Sequence, residues 1–244
     1  MTAARPRPAF YALRSGGWRD YITLLHPPYT LWHLSYVAVG AALAPRMDWP
    51  LLGWTTLAFA LAMGVGAHAL DEMTGRPLQT RIPRTILASL AALSISAAAG
   101  IGIAVAVSRT LWLLVFVAVG AFLVVAYNLE LFGGTFHGGL WFPAAWGAFP
   151  VLTAYFASAR TLHSAAFAAA GFAFASSWVQ RRLSTPVRLV RRRVVAVKGE
   201  MELDDGTSVP LDADTLAAEP EAALKALVVA TVLVAVALLL FRAG

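Results

Sequence analysis

The chain has 244 residues, of which 59% are hydrophobic and 13% are charged, and its mean hydropathy is +0.69. Soluble domains carry about 25% charged residues, so this composition excludes a water-soluble globular protein and predicts an integral membrane protein. Cysteine is absent, which excludes disulfide bonds and thiolate metal sites. The net charge of +6 alone would be compatible with nucleic-acid binding, but the distribution of the basic residues argues against it.

Seven apolar segments have about the length that a membrane-spanning helix needs, which is about 20 residues. They are residues 23–44, 50–70, 85–107, 110–127, 139–158, 161–179 and 222–241. Alanine and glycine are frequent in these segments, and small residues allow helices to pack closely in lipid. The sequence therefore predicts an all-α, polytopic membrane helix bundle of about seven transmembrane helices.

These segments divide the chain into a cytoplasmic N-terminal segment (1–22), a six-helix membrane core (23–179), a cytoplasmic loop (180–221) and a seventh transmembrane helix with the C-terminus (222–244). Most of the 19 basic residues then lie on one side, and the exceptions are Arg46, Arg109, Arg160 and Arg242. The positive-inside rule places that side in the cytoplasm. We therefore expect a multi-pass protein of the plasma (inner) membrane, with a cytoplasmic N-terminus, an external C-terminus and no nucleic-acid partner.

The predicted loop has two different halves. Its first half, "QRRLSTPVRLVRRR", is basic and is interpreted either as a surface for anionic lipid head groups or as a solvated loop that fixes the topology. The following "VVAVKGEMELDDGTSVPL" alternates apolar and polar residues around Asp205 and Gly206. This pattern predicts a short β-hairpin.

The most polar part of the membrane core is "GVGAHALDEMTGRPLQTRIPR". At about 100° per residue, four of its side chains should point the same way: His68, Asp71, Glu72 and Arg76. Ionisable groups at such a place usually face the bundle interior or a wet cavity. Adjacent carboxylates are suited to Mg²⁺, which leaves room for substrate phosphates. The alternative is that both carboxylates pair with Arg76 or Arg81 where the helix leaves the membrane.

Two further segments place polar residues on the same predicted face. The fourth span ends in Tyr127 and Asn128, with His137 following, and the sixth span ends just before Arg181 and Arg182. We therefore expect the chemistry of this protein to lie at its cytoplasmic face. A transition-metal site of His68, Asp71 and His137 is an alternative, although its ligand spacing is not specific. His33, within the first span, is interpreted as a core histidine or a cavity group.

Four stretches together resemble the UbiA-type prenyltransferase superfamily. The helix that runs into an acidic cluster and an arginine–proline loop is similar to the first aspartate motif of that family, Asn-Asp-x-x-Asp-x-x-x-Asp. "LLHPPYTLW" resembles its opening stretch, "AYNLELFGGTFHGGLWF" the tyrosine-bearing end of its fourth helix, and "GAFPVLTAYFAS" the fifth helix of its menaquinone-pathway members. The resemblance covers roughly residues 20–180.

The chain departs from that family in three ways. Glu72 keeps a carboxylate in register with the first motif, whereas Asp71 lies one position early. The second motif, usually Asp-x-x-x-Asp, falls near "SSWVQRRLSTPVR", which contains no carboxylate. The usual nine helices are also reduced to about seven.

The resemblance implies a UbiA-like bundle that moves an isoprenyl group from a polyprenyl diphosphate to a lipophilic acceptor with the assistance of Mg²⁺. It implies that Asp71, Glu72 and His68 are catalytic, with Asp71 and Glu72 as the Mg²⁺ ligands. The substrate-binding residues that it implies are Arg76, Arg81, Tyr127, Asn128, His137, Arg181 and Arg182. Because diphosphate leaves only when its charge is met by metal or cations, arginines such as Arg181, Arg182 and Arg188 are an alternative to the missing acidic motif.

Two other functions stay open. A catalytically inactive UbiA-like protein would bind or carry an isoprenoid or a phospholipid, and the missing second motif favours it. A small transporter is a third hypothesis, but the hydropathy shows no inverted repeat and the polar groups cluster at one face rather than at the midplane. The sequence identifies no protein partner.

Overall fold

The structure is a computed structural model, and it describes residues 7–244. In this part the chain is 74% helical, with eight helices and one small two-stranded sheet. The predicted helical class is therefore confirmed, and the UbiA-like architecture stays a prediction. Residues 1–6 of the predicted N-terminal segment lie outside the described residues.

The helices follow one another with short connections. They are α1 (Trp18–Leu24), α2 (Pro27–Leu43), α3 (Trp49–Gly75), α4 (Arg84–Arg109), α5 (Leu113–Asn128), α6 (141–159), α7 (Ser164–Arg193) and α8 (Ala213–Ala243). Two of them contain π-helical segments, Ala60–Ala67 in α3 and Ala144–Ala148 in α6. A short 3₁₀ turn, Thr135–His137, follows α5. Since π-helical turns are rare and concentrate at functional sites, both segments are of interest.

Three of the helices, α3, α4 and α8, are long and apolar enough to cross a membrane. Helix α5 is apolar but shorter, with 16 residues. The other predicted spans are helical as well and correspond to α2, α6 and α7. On the outside of the bundle, Leu93, Val107 and Phe241 are each more than two-thirds exposed. Soluble monomers rarely expose large apolar patches, so this surface is suited to lipid.

The predicted loop at 180–221 is shorter than expected. Helix α7 continues to Arg193, and α8 begins at Ala213. Residues 180–193 are rich in arginine and leucine, which have good helix propensity, so they extend the helix. The high charge of this stretch had led to the prediction of a loop. Within the remaining segment, strands β1 (Glu200–Glu202) and β2 (Ser208–Pro210) pair antiparallel, which confirms the predicted hairpin.

The bundle consists of two packed groups. Helix α2 packs on α6 and α8, and α7 packs on α6 and α8, whereas α3 packs on α4 and α5. Glycines allow the closest approaches: a Cβ on Gly40 would overlap the carbonyl oxygen of Val151, and one on Gly147 would overlap that of Ala173. Small residues thus have the packing role that the sequence predicted.

Candidate functional site

A polar cavity of about 280 Å³ lies at the end of the bundle where α3 and α5 finish. Its walls come from α2, α3, α5, α6 and α7 and from residues 8–11 of the N-terminal segment. The charged side chains that line it are Asp71 and three arginines of α7, Arg181, Arg188 and Arg192. The cavity is therefore cationic, and it suits an anionic ligand.

Asp71 and Glu72 lie in different environments. Asp71 lines the cavity, and its carboxylate has no hydrogen-bond partner in the part of the chain that the structure describes. Glu72 is fully buried, and its carboxylate accepts hydrogen bonds from the backbone N–H of Leu78 (2.9 Å), the backbone N–H of Thr80 (2.8 Å) and the Thr80 hydroxyl (2.9 Å). The expectation that both carboxylates point the same way is wrong, because residues 76–82 fold back around Glu72.

Arg76 and Arg81 belong to the same loop and not to the cavity lining. Arg76 ends α3 in the left-handed conformation, with φ 48°, and its guanidinium donates to the carbonyl oxygens of Thr80 and Ile82, each at 2.9 Å. The side chain of Arg81 is exposed, and its backbone N–H donates to Asp20 at 2.8 Å. The predicted common direction of Arg76 with His68 and Asp71 is therefore also wrong.

A Mg²⁺ ion held jointly by Asp71 and Glu72 does not fit this arrangement. Three hydrogen bonds already occupy the Glu72 carboxylate, which leaves Asp71 as the carboxylate that faces the cavity. Residues 7–244 contain no group of three or more His, Asp or Glu side chains that could hold a metal ion. The arginines of α7 that line the cavity are placed to meet the charge of a bound anion.

Arg181 is held in position by the end of α5 and the loop after it. Its guanidinium donates to the Tyr127 hydroxyl at 2.9 Å and to the His137 carbonyl oxygen at 3.1 Å. Its neighbour Arg182 is exposed and lies over the ring of Trp178, with 5.1 Å between the guanidinium carbon and the ring centroid. Adjacent side chains on a helix differ by about 100°, so only Arg181 of this pair faces the cavity.

Arg188 and Arg192 return to the cavity side further along α7. Arg188 donates to the Thr185 hydroxyl at 3.2 Å, and Arg192 donates to the Pro8 carbonyl oxygen at 3.1 Å. Burial lowers the pKa of Arg188, and the positive charge of Arg192 lowers it further. An anion bound between these two guanidinium groups would stabilise both charges.

Four histidines line the cavity: His26, His33, His68 and His137. The rings of His26 and His68 stack, with centroids 4.0 Å apart and planes at 12°. The Nδ1 atom of His26 lies 2.8 Å from the Tyr11 hydroxyl. His33 is buried with its Nδ1 atom 2.7 Å from the Trp146 carbonyl oxygen, and it also lines the cavity, so the structure agrees with both interpretations of this residue.

Six of the predicted site residues meet in the cavity: His68, Asp71, Tyr127, Asn128, His137 and Arg181. Glu72, Arg76, Arg81 and Arg182 lie outside its lining. Sequence reasoning missed Tyr11, Tyr29 and Arg192. The sequence could have indicated Tyr29 together with His33, because polar aromatic residues four positions apart on an apolar helix lie on the same face.

An apolar groove lies beside the cavity, between α3, α4, α5 and α6. Met63 and Trp146 line both spaces, and each belongs to one of the two π-helical segments. Along α6 the groove runs from Trp146 to Ala157, which at 1.5 Å per residue is about 16 Å. A cationic cavity beside a groove of this length suits a ligand with an anionic head and an apolar tail.

Protein-family models, curated proteins and solved structures were all compared with the chain, and none of them matches it. The assignment of a function therefore depends on the sequence pattern and on the geometry of the cavity and the groove.

Proposed function

We propose that this protein is an intramembrane prenyltransferase that binds an isoprenyl diphosphate, with its head in the polar cavity and its tail in the apolar groove, and transfers the isoprenyl group to a lipophilic acceptor. The observation that carries the proposal is that Met63 and Trp146 line both the arginine-lined cavity and the apolar groove, so the two spaces are neighbours. A small soluble anion would leave the groove empty, and an uncharged lipid would leave the three arginines without a negative charge opposite them.

The arginines would supply the electrostatic part of the reaction. When the bond between C1 of the isoprenyl group and the diphosphate oxygen breaks, the electron pair leaves with the diphosphate. Arg181 is already oriented by Tyr127 and His137, so it can meet this developing charge without reorganisation. Charge-assisted hydrogen bonds from guanidinium groups to phosphate are among the stronger ones in proteins. In this proposal they take the place of the second acidic motif.

The proposal includes a UbiA-like bundle of seven transmembrane helices in the plasma membrane, surrounded by its lipids. The ends of α3, α5 and α7 and the starts of α2 and α6 contribute residues to the cavity. Most basic residues lie near this end, so the positive-inside rule places it and the N-terminus in the cytoplasm.

A catalytically inactive lipid-binding protein is the second candidate, and the presence of a single carboxylate in the cavity lining, among residues 7–244, favours it. Such a protein would hold the same amphipathic ligand and leave its C1–O bond intact. Binding measurements identify the ligand class that both candidates share, and a transfer measurement separates them.

The test is binding of geranylgeranyl diphosphate to the full chain in detergent, with geranylgeraniol as the ligand that lacks the charged head. Arg181→Gln removes one cavity guanidinium and should weaken diphosphate binding at least about tenfold, since hydrogen bonds to charged groups are worth about 1.5–3 kcal/mol. Arg182→Gln changes the neighbouring arginine outside the cavity and should leave binding unchanged.

Equal effects of the two substitutions, or equal affinity for geranylgeraniol, would contradict the proposal. Labelled geranylgeranyl diphosphate incubated with membranes that contain the protein then separates the two candidates. A transferase moves the label into a new lipid-soluble product and releases diphosphate. A carrier returns the label unchanged.

A further inference from the structure

Helix α1 has a buried face and an exposed face. The buried face consists of Asp20, Thr23 and Leu24, and the exposed face consists of Trp18, Tyr21 and Ile22. Each set has the i, i+3 and i+4 spacing of residues on one side of a helix. Trp18 is 66% exposed, and Tyr21 and Ile22 are each 41% exposed. A helix side that faces water is normally polar, whereas tryptophan and tyrosine concentrate where a membrane meets water.

This helix lies where the apolar part of the bundle begins. Its Asp20 carboxylate accepts a hydrogen bond from the backbone N–H of Arg81 at 2.8 Å, which holds α1 beside the loop that leads into α4. Helix α2 begins at Pro27, soon after the end of α1. Helix α4, which is long and apolar enough to cross a membrane, begins at Arg84. In a membrane, α1 therefore lies at the depth of the lipid head groups.

Four exposed arginines belong to the two segments that this hydrogen bond joins, residues 13–24 and 79–86. They are Arg14, Arg19, Arg81 and Arg84. None of them belongs to an ion pair within residues 7–244, where the paired arginines are Arg109 and Arg191. Asp20 is the one carboxylate of the two segments, and both of its oxygens already accept hydrogen bonds from backbone N–H groups. The four positive charges are therefore available to an anionic partner.

The other charged segments at this end of the bundle have different surroundings. In the basic stretch 180–193, three arginines line the cavity and a fourth, Arg191, pairs with Asp214 and Glu221. Residues 199–214, which include the hairpin, contain six carboxylates and no basic residue. Because like charges repel and opposite charges attract, an anionic membrane surface would attract α1 and repel the hairpin.

We infer that α1 is a surface anchor that binds anionic phospholipids, with Trp18, Tyr21 and Ile22 in the head-group region and the four arginines on the lipid phosphates. Guanidinium groups bind phosphate through charge-assisted hydrogen bonds. Clusters of about four to eight basic residues beside a transmembrane helix are typical of anionic-lipid binding. This surface lies outside the cavity lining, so its role does not depend on the proposed function.

The chain has no cysteine, so a single introduced thiol can carry a fluorescent bimane label at a chosen position. Ile22→Cys places the label on the exposed face of α1, and Met201→Cys places it on the hairpin, where the two native side chains are 41% and 42% exposed. Each full-length variant is reconstituted in phosphatidylcholine nanodiscs that contain a small fraction of brominated phosphatidylglycerol or, separately, of brominated phosphatidylcholine. We expect both bromolipids to quench the label at position 22 and neither to quench it at position 201. Phosphatidylglycerol should be enriched around α1 at least about fivefold, which is the contribution of one arginine near an anionic surface.

Replacement of all four arginines by glutamine should remove this enrichment and leave the quenching by phosphatidylcholine. Arg46→Gln combined with Arg160→Gln changes two exposed arginines at the opposite end of the bundle and should leave the enrichment unchanged. Quenching at position 22 that is no stronger than at position 201 overturns the inference, and so does equal quenching by the two bromolipids. Both of these comparisons retain the four arginines, so they do not depend on the folding of the glutamine variant. An enrichment that survives the fourfold replacement would also overturn the inference.

Discussion

The cavity and the loop of residues 76–82 both adjoin the end of α3, and they use adjacent carboxylates differently. Asp71 faces the cavity and has no hydrogen-bond partner among the residues that the structure describes. Glu72 faces the loop and accepts three hydrogen bonds from Leu78 and Thr80. The comparison indicates that a complete set of backbone donors marks a structural carboxylate, whereas a partly buried carboxylate without donors is available to a ligand.

The sharpest test of this difference is Glu72→Gln. The amide group replaces one accepting oxygen with an NH₂ group that faces N–H donors, so we expect the free energy of unfolding to fall by about 3 kcal/mol. Denaturant-induced unfolding in detergent measures the change. Asp71→Asn makes the same chemical change at the adjacent position and is the matched control, with an expected effect within about 0.5 kcal/mol. Equal losses of stability would refute the distinction between the two sides of α3.

A second structural carboxylate extends the comparison to α1. Asp20 is buried and accepts hydrogen bonds from the backbone N–H groups of Gly16 and Arg81, each at 2.8 Å, so it ties α1 to the loop. We expect Asp20→Asn to cost about 2 kcal/mol, since one charge-assisted hydrogen bond is lost and another weakened. Limited trypsin digestion should then cleave after Arg81 faster than in the unaltered protein. Asp204→Asn, on the exposed hairpin, should leave that rate unchanged; if it also accelerates cleavage, Asp20 has no special role.

The sequence was sufficient to predict the helices but not the conformation of the loop of residues 76–82. Long apolar runs such as those of α3, α4 and α8 have few alternatives to a helix, because a lipid environment leaves no other partner for the backbone. The left-handed conformation of Arg76, which turns the chain back towards Glu72, depends on tertiary contacts with Thr80 and Ile82. A helical wheel contains no information on such contacts, so it placed Glu72 on the wrong side.

The same limit explains the candidate site. The position of His68 and Asp71 on one face of α3 could be predicted, because it follows from helical periodicity within one segment. Gln180 contributes to the cavity only because α7 packs beside α2 and α6, and no local pattern indicates that arrangement. The charge of the stretch before Arg193 was misleading, since arginine is both a loop residue and a good helix former.

The structural carboxylate at the opposite end of the bundle should show a smaller, pH-dependent effect. The backbone N–H of Leu51 at the start of α3 lowers the pKa of Asp48, and Arg109 lowers it further. A carboxyl group whose folded-state pKa is depressed stabilises the protein above its unfolded pKa of about 3.9, and this stability is lost as the pH falls through the folded value. Asp48→Ala should cost about 1 kcal/mol at pH 7, the value of an N-cap. Unfolding measured from pH 7 to pH 3 should show this difference shrinking, and a difference that is constant with pH would contradict the assignment.

Asp71→Asn should change binding more than stability, and its sign distinguishes two ways of holding a diphosphate. If the arginines alone meet the charge, removal of the one carboxylate among the cavity-lining residues removes a repulsion. The affinity for geranylgeranyl diphosphate in the presence of EDTA should then rise, by about twofold to fivefold for charges several ångströms apart in a partly wet cavity. If Asp71 instead holds Mg²⁺, the same substitution should lower the affinity, and only when Mg²⁺ is present. Titrations of both proteins with and without Mg²⁺ therefore decide between two roles of Asp71. Either it contacts the ligand through a metal ion, or it only repels the negative charge of the ligand and the arginines alone meet that charge.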